Sequence, residues 1–494
     1  MEQLLIAPFT SLLSHSRFFL TLRSEEGIYH SLILFRLTPD SKQSAEDVVE
    51  PDRTSHTDTQ YNQIYVMESS CPHLGADLSH ADIEECESSI VAVCPWHRYD
   101  FDLQTGKSES GLRACTYTVE VKTDTLDGID KVYVETPSGG SGWRLVELRP
   151  VSEEFADPPP QRIIPQLPVT HSSKYASAAD EPIVPTTNVP TTLMQWAVLI
   201  LNTPNPTLKV QRTRHAVNLF RTGKLASIGH TSSNAPRPPD IPPREELLTR
   251  NTVDPAKVKN RKNRAVMLHA LANIEQWAID LAWDIIARFG PLHHDIPPAF
   301  FSDFTKMALD ESKHFTLLTS RLAAISPATP YGTMPVHAGL WESATVTSQS
   351  LRSRLAIIHL VHEARGLDVN PATMERFRKA GDTESVQVME VIHADEVTHV
   401  TSGHRWFTWV CEKEGNVDPI QTFRAEVKKG WRGDLKGPFN VEDRGKAGLV
   451  PEFYEGLRGE MGTGPPPSSV KDGVDMRSLS DSLASVPVVY EKTT

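Results

Sequence analysis

Two copies of one short pattern constrain this chain more than anything else in it. Asp310–His314 reads DESKH, and Asp395–His399 reads DEVTH. The first lies inside AFFSDFTKMALDESKHFTLLTSRLAAI, the second inside DTESVQVMEVIHADEVTHVTSGHRWFTWVCEKEG, and both stretches carry the apolar spacing of amphipathic helices. At positions i and i+3 a glutamate and a histidine share one helix face. Glu311 with His314, and Glu396 with His399, therefore each offer a carboxylate beside an imidazole. With 19 histidines and 63 acidic residues in 494, about two loose acidic-x-x-His pairs arise by chance. A single copy is an ordinary surface pair. Two matched copies on two long helices ask for a fold that turns them toward each other.

Two further helical stretches complete such a fold. AVMLHALANIEQWAIDLAWDIIARFG carries Glu275 among Ala272, Ile274 and Ala278, and LWESATVTSQSLRSRLAIIHLVHEARGLDV carries Glu363 after an apolar run. The order along the chain is E, ExxH, E, ExxH. It supplies four carboxylates and two imidazoles, the donor set of a dinuclear carboxylate site in a helix bundle. Four clustered carboxylates are prohibitive in a bundle without cations, and mixed oxygen and nitrogen ligation suits iron or manganese. The expected ligands are Glu275, Glu311, His314, Glu363, Glu396 and His399. Asp310 and Asp395 precede the ligand glutamates and are placed to accept hydrogen bonds from the outer ring nitrogens of the histidines; plain helix-surface charge is the competing reading. His269, His362, His393 and His404 are expected to be packed, supporting or exposed, and Asp280 and Asp284 to form structural pairs. PATMERFRKAG reads as a separate short helix with Pro371 in its first turn.

The first 150 residues have a different texture. FFLTLR, YHSLILFRL, QIYVME, SIVAVC, TYTVEVKT and KVYVET are short β-rich runs between polar turns. Within them CPHLGA starts at Cys71 and CPWHRYDFDLQTG at Cys94. Two thiolates, Cys71 and Cys94, can hold one iron of a [2Fe–2S] cluster, and two imidazoles, His73 and His97, the other. A Cys₂His₂ zinc site uses the same residue types, but the Pro-bearing loops between strands lack a zinc finger's strand–helix setting. The stretch closely resembles a Rieske domain, including Phe101, Asp102 and Gly106 after the second motif. The absence of an extra cysteine in each loop resembles the ferredoxin and oxygenase type. Arg98 stands where that family commonly has glycine. Cys86 and Cys115 are expected to be unligated.

Expected boundaries are 1–153 for the strand domain, 154–192 for a Pro/Ser-rich linker or wrapping arm, 193–457 for the helical domain and 458–494 for a flexible tail. The formal charge of -13 disfavours wrapping a polyanion. KVKNRKNR, Lys257–Arg264, reads as the solvated start of a helix. No apolar run is long enough to span a membrane, and MEQLLIAPFTSLL lacks the positive region of a signal peptide. Five scattered cysteines point to a reducing, cytoplasmic setting.

From about Gln195 to Leu457 the chain resembles the DUF455 branch of ferritin-like proteins. QWAVLILNTPNPTLKV, HALANIEQWAIDLAWD, DESKHF, HAGLWE, EARGLDV, GDTES, DEVTHV and GPFNVEDRGKAG carry the resemblance. It implies the same six ligands, and Asn273 stands where the family often has histidine, so a supporting role there is altered in this chain. The expected fold class is multidomain: a small all-β Rieske domain followed by an all-α ferritin-like four-helix bundle. The expected function is a non-haem diiron oxygenase or oxidase. Its Rieske cluster relays electrons from an external NAD(P)H-dependent reductase or ferredoxin, with O₂ as cosubstrate and a small organic molecule as substrate. Alternatives are a rubrerythrin-like peroxide reductase or ferroxidase and, more weakly, a redox scaffold without activity. Nucleic acid as partner has no independent support, and a homo-oligomer is compatible with the sequence.

Overall fold

The computed structural model describes residues 2–13, 15–37, 64–86, 89–125, 128–151, 181–253 and 263–461. They fall into two compact units, one of strands and one of helices.

In the strand unit, β2 (Arg17–Arg23), β3 (Tyr29–Arg36) and β4 (Ile64–Glu68) form an antiparallel sheet with β8 (Thr116–Tyr117) and β11 (Arg144–Pro150), in the order β11-β2-β3-β4-β8. A second sheet runs β1-β10-β9, from Gln3–Pro8, Asp130–Glu135 and Val119–Thr123. Side chains alternate faces along a strand. Phe18, Leu20, Leu22, Leu32 and Leu34 therefore face one core with Val132 and Val134. The other face of β3, Ile33 and Phe35, closes over Met67, Cys71, Cys94 and Phe101. The third sheet, β5 (Asp82–Cys86), β6 (Ser89–Val93) and β7 (Asp100–Asp102), frames the second CPWH loop. The N-terminal stretch MEQLLIAPFTSLL supplies β1, which pairs with β10.

The helical unit begins with α1 (Leu193–Leu201), whose entry is fixed by a capping box between Thr192 and Gln195. Then come α2 (Pro206–Arg221), α3 (Arg264–Phe289), α4 (Pro298–Ile325), α5 (Gly339–Val346), a π-helical segment (Leu355–His362), α6 (Glu363–Lys379), α7 (Thr383–Lys413) and α8 (Pro419–Gly430). Helix α3, helix α4, the π segment with α6, and α7 form a ferritin-like bundle. Buried Ile279, Trp283, Leu318, Ile358, Met389 and Phe407 are among its apolar core residues. Asp280 and Asp284 are wholly buried and charge-paired, the first with Lys209 and Arg244, the second with Arg288 and Arg354.

The structure corrects the reading of the third helix in two places. LWESATVTSQSLRSRLAIIHLVHEARGLDV is not continuous: α5 stops at Val346, and Ser350 caps a new start. Arg354 stabilises the break, since its guanidinium donates to Ala344 O, in the last turn of α5, and to Thr347 Oγ1. PATMERFRKAG does not start a new helix; Pro371 lies inside α6. A proline removes the N–H that would reach the carbonyl four residues back. Here Leu367 O instead accepts from Asn440 Nδ2 at 3.3 Å. Arg458–Glu460, assigned to the tail by composition, pairs with Arg432–Asp434. The remaining tail from residue 462, residues 154–180 of the expected 154–192 linker and most of KVKNRKNR lie outside the described residues; α3 itself starts from an Asn263 cap.

Candidate metal centres

The two loops of the strand unit are built alike. After Cys71, Gly75 N donates to Cys71 O at 2.8 Å; after Cys94, Arg98 N donates to Cys94 O at 3.0 Å. Both fifth residues adopt the left-handed conformation, Gly75 with φ 76° and Arg98 with φ 58°. The turn suits glycine, and the arginine at the second loop is held by Asp82 and by Glu84 at 2.7 Å. Gly106 is confined too, because a Cβ there would lie 1.8 Å from Ala114 O.

These turns bring Cys71 and Cys94 together in a buried position, where the two sulfurs share a hydrogen bond. That bond lowers the Cys94 pKa to about 6. It raises that of Cys71, with burial adding to the effect. The rings of His73 and His97 stand edge to face with centroids 4.8 Å apart. His73 Nδ1 is buried without a partner, while His97 is exposed. A sulfur pair and an imidazole pair, with an orphaned nitrogen in the second, fit a Rieske [2Fe–2S] cluster. All five cysteines are free of disulfides.

In the helical unit, two groups of side chains bring ligand atoms within 4.8 Å of one another. The first is Glu275, Glu311, His314 and Glu396; the second is Glu311, Glu363, Glu396 and His399. Glu311 and Glu396 belong to both. Glu311 lies between the histidines, with Oε2 3.1 Å from His314 Nδ1 and Oε1 3.0 Å from His399 Nδ1. Glu275 Oε2 stands 3.4 Å from His314 Nδ1, and Glu396 Oε2 3.5 Å from His399 Nδ1. All six are buried except half-buried Glu363.

The outer ring nitrogens are held crosswise. His314 Nε2 on α4 meets Asp395 Oδ2 on α7 at 2.9 Å, and His399 Nε2 on α7 faces Asp310 Oδ2 on α4 at 3.4 Å. Lys313, unremarked in the sequence although it lies within DESKH, reaches Asp395 at 2.6 Å and Asp310 at 3.7 Å. One cation thus faces both aspartates.

Crowding of four carboxylates and two imidazoles sets the electrostatics of the site. Burial, then the Glu311 charge, raises the Glu275 pKa; burial, then Glu396 and Glu311, raises that of Glu363. Burial disfavours the charged forms of His314 and His399 also, but neighbouring carboxylates outweigh it and push both upward. For Glu311 burial acts upward, and the two histidines outweigh it to hold the carboxyl down. Buried Glu396 Oε2 makes no hydrogen bond. Donor set, burial and this unsatisfied oxygen together fit two hard or borderline cations.

Other histidines have other partners. His269 Nε2 accepts from Gly332 N at 2.9 Å, His362 meets Ser343 Oγ at 2.8 Å, His393 meets Asp443 at 3.0 Å, and His404 packs on Phe453. Asn273 is not brought to the cluster: its Nδ2 donates to His337 O at 2.9 Å. A cavity of about 60 Å³ lies against residues flanking Glu363, lined by His362, Arg365, Phe423, Trp431, Phe439 and Tyr454 among others. No helix among the described residues is long and apolar enough to cross a membrane.

Fold and sites together define a Rieske-type iron–sulfur domain fused to a ferritin-like diiron domain, with the redox and electron-transfer character of an oxidoreductase. The chain belongs to the DUF455 family, described as a protein of unknown function, which matches residues 202–455. The soluble Rieske-type ferredoxin family matches residues 41–115. An uncharacterized Haemophilus influenzae protein is 32% identical over 215 residues, 42% of this chain and 73% of its own length. A solved Mycobacterium tuberculosis chain, provisionally assigned as the small subunit of an NADH-dependent nitrite reductase, shares 14% identity. That likeness covers 28% of this chain and 97% of that one, at a TM-score of 0.19.

Proposed function

We propose that this protein is a non-haem diiron oxygenase or oxidase of a small organic substrate, supplied with electrons by its own Rieske cluster. The observation that carries this reading is the pair of Glu-x-x-His sets sharing Glu311 and Glu396. Glu275 and His314 would hold one ion, Glu363 and His399 the other, and the two shared glutamates would bridge them. Cys71, Cys94, His73 and His97 would hold the cluster. When bound, the iron pair supplies O₂ activation.

The remaining roles belong to the chain. Asp310 and Asp395 orient the imidazoles through their outer nitrogens, so that Nδ1 faces inward. Lys313 offsets the charge of both aspartates. The apolar bundle excludes water from the centre. Inserting one oxygen atom into a C–H bond takes O₂, two electrons and two protons, and releases water. A Rieske cluster passes one electron at a time, so two transfers accompany each turnover. A donor tethered to its acceptor acts at high effective concentration. An external NAD(P)H-dependent reductase or ferredoxin would refill the cluster, in a cytoplasmic setting compatible with the free cysteines.

The test is a reconstituted system of the full chain, a reductase and candidate substrates. Substrate-dependent consumption of NAD(P)H and O₂ is the expected result. Rapid reoxidation by hydrogen peroxide, with no response to any organic substrate or O₂, would replace the reading with peroxide reduction.

A further inference from the structure

The cavity of the helical unit has walls that select a particular kind of occupant. Its volume is about 60 Å³. The apolar lining comes from Leu360 and Val361 of the π-helical segment, Phe423 of α8, and Leu435, Leu449 and Phe453 beyond it. Phe423 and Phe453 stand edge to face with centroids 5.5 Å apart. A space of this size holds about four to six water-sized groups. A buried water needs about two to four polar partners, and these six walls offer none from their side chains. A small carbon skeleton fills such a space better than water does.

Two other lining residues carry polar atoms to which no described residue offers a hydrogen bond. Tyr454 Oη and Trp431 Nε1 are both buried without a partner. Tyr454 is 1% exposed. An indole N–H only donates, and a phenol O–H donates as well, so the matching ligand atom is an acceptor. Packing does not call for the hydroxyl. The Tyr454 ring lies 4.6 Å from that of Phe439 between centroids, and phenylalanine would make the same contact.

Charge points the same way. The charged lining residues are Arg365, Lys436, Arg444, Asp368 and Asp434. Arg444 is already balanced, since it donates to both oxygens of Asp368, at 2.8 and 2.7 Å. Asp434 pairs at 3.0 Å with Arg458, which is not part of the lining. Arg365 is left with Asp368 Oδ2 at 4.0 Å, an oxygen that Arg444 already holds. Burial works against the Arg365 charge, Asp368 works for it and Arg444 against it. Its side chain is 30% exposed, so this poorly balanced charge is reachable from solvent.

We propose that this cavity binds a short-chain carboxylate of about four to six heavy atoms. Its hydrocarbon part would lie against Phe423, Leu449 and Phe453, and its carboxylate would take up the guanidinium of Arg365 and the orphaned hydrogens of Trp431 and Tyr454. The site uses none of the candidate metal ligands and stands whether or not the bundle holds iron. The test titrates isobutyrate into the full chain by calorimetry, with isobutyramide, the same skeleton without the charge, as its control. Isobutyrate should bind saturably with a Kd on the order of 1 mM or below, and isobutyramide about tenfold more weakly. Arg365→Gln and Tyr454→Phe should each weaken isobutyrate about 10–100-fold. Without ligand, Tyr454→Phe should melt at or above the wild-type temperature, because an unpaired hydroxyl has gone. Absence of saturable binding by wild type would overturn the proposal, as would equal binding of acid and amide. So would isobutyrate binding that both variants leave unchanged, the result for a carboxylate seated on bundle metal instead.

Discussion

Glu311 is the residue on which the bundle centre turns, because each of its oxygens faces a different histidine. Glu311→Ala should abolish binding of both ions. Glu275→Ala should leave one, since Glu311, Glu363, Glu396 and His399 still form a complete group. Metal titration separates the two outcomes, and equal losses would contradict the shared-ligand geometry. Arg98 makes a second test. Its left-handed backbone is one that glycine adopts freely and β-branched residues avoid. Melting temperatures should fall in the order Arg98→Gly at or above wild type, then Arg98→Val well below. His269 gives a pH signature. Burial lowers its pKa from 6.5 to about 4, so the unfolded chain binds more protons between those values. Its stabilisation is complete above pH 6.5 and fades as pH falls toward 4. Over that range wild type should lose on the order of 2–3 kcal/mol more than His269→Gln, measured by denaturant unfolding. Equal losses would show that His269 takes up a proton without penalty.

At the scale of elements, the helix through Pro371 depends on a substitute donor. Asn440→Ala should cost about 0.5–1.5 kcal/mol in wild type and less in a Pro371→Ala background, where a backbone N–H is restored. Equal costs in the two backgrounds would mean that Asn440 acts only as the cap of the following helix. This is also where sequence reading stops. The helices carrying Glu275, Glu311 and Glu396 were legible because each has an unbroken apolar period across many turns. The break at Thr347–Ser350 was not, because its stabiliser, Arg354, acts through tertiary contacts with Ala344 O, Thr347 and Asp284. Pro371 looked like a helix start because its remedy lies about seventy residues downstream. The ExxH spacing placed carboxylate and imidazole on one face. The crosswise Asp310–His399 and Asp395–His314 contacts need the distance between two helices, which no single-helix pattern contains.

Across the whole molecule, two candidate metal centres lie in separately folded units. His97→Ala should remove the Rieske spectrum and leave bundle iron in place; loss of both metals together would contradict that independence. With a reductase present, the same variant should keep its substrate affinity but lose NAD(P)H-coupled turnover. If this one chain carries both an iron–sulfur cluster and a carboxylate-bridged iron pair, metal analysis with Mössbauer spectroscopy on oxidised and reduced protein will find four irons of two kinds. Two are expected in a [2Fe–2S] cluster with unlike ligands and two more as a coupled pair in an oxygen- and nitrogen-rich site. Cluster iron alone, in protein grown with ample iron and manganese and holding neither metal in the bundle, would contradict it.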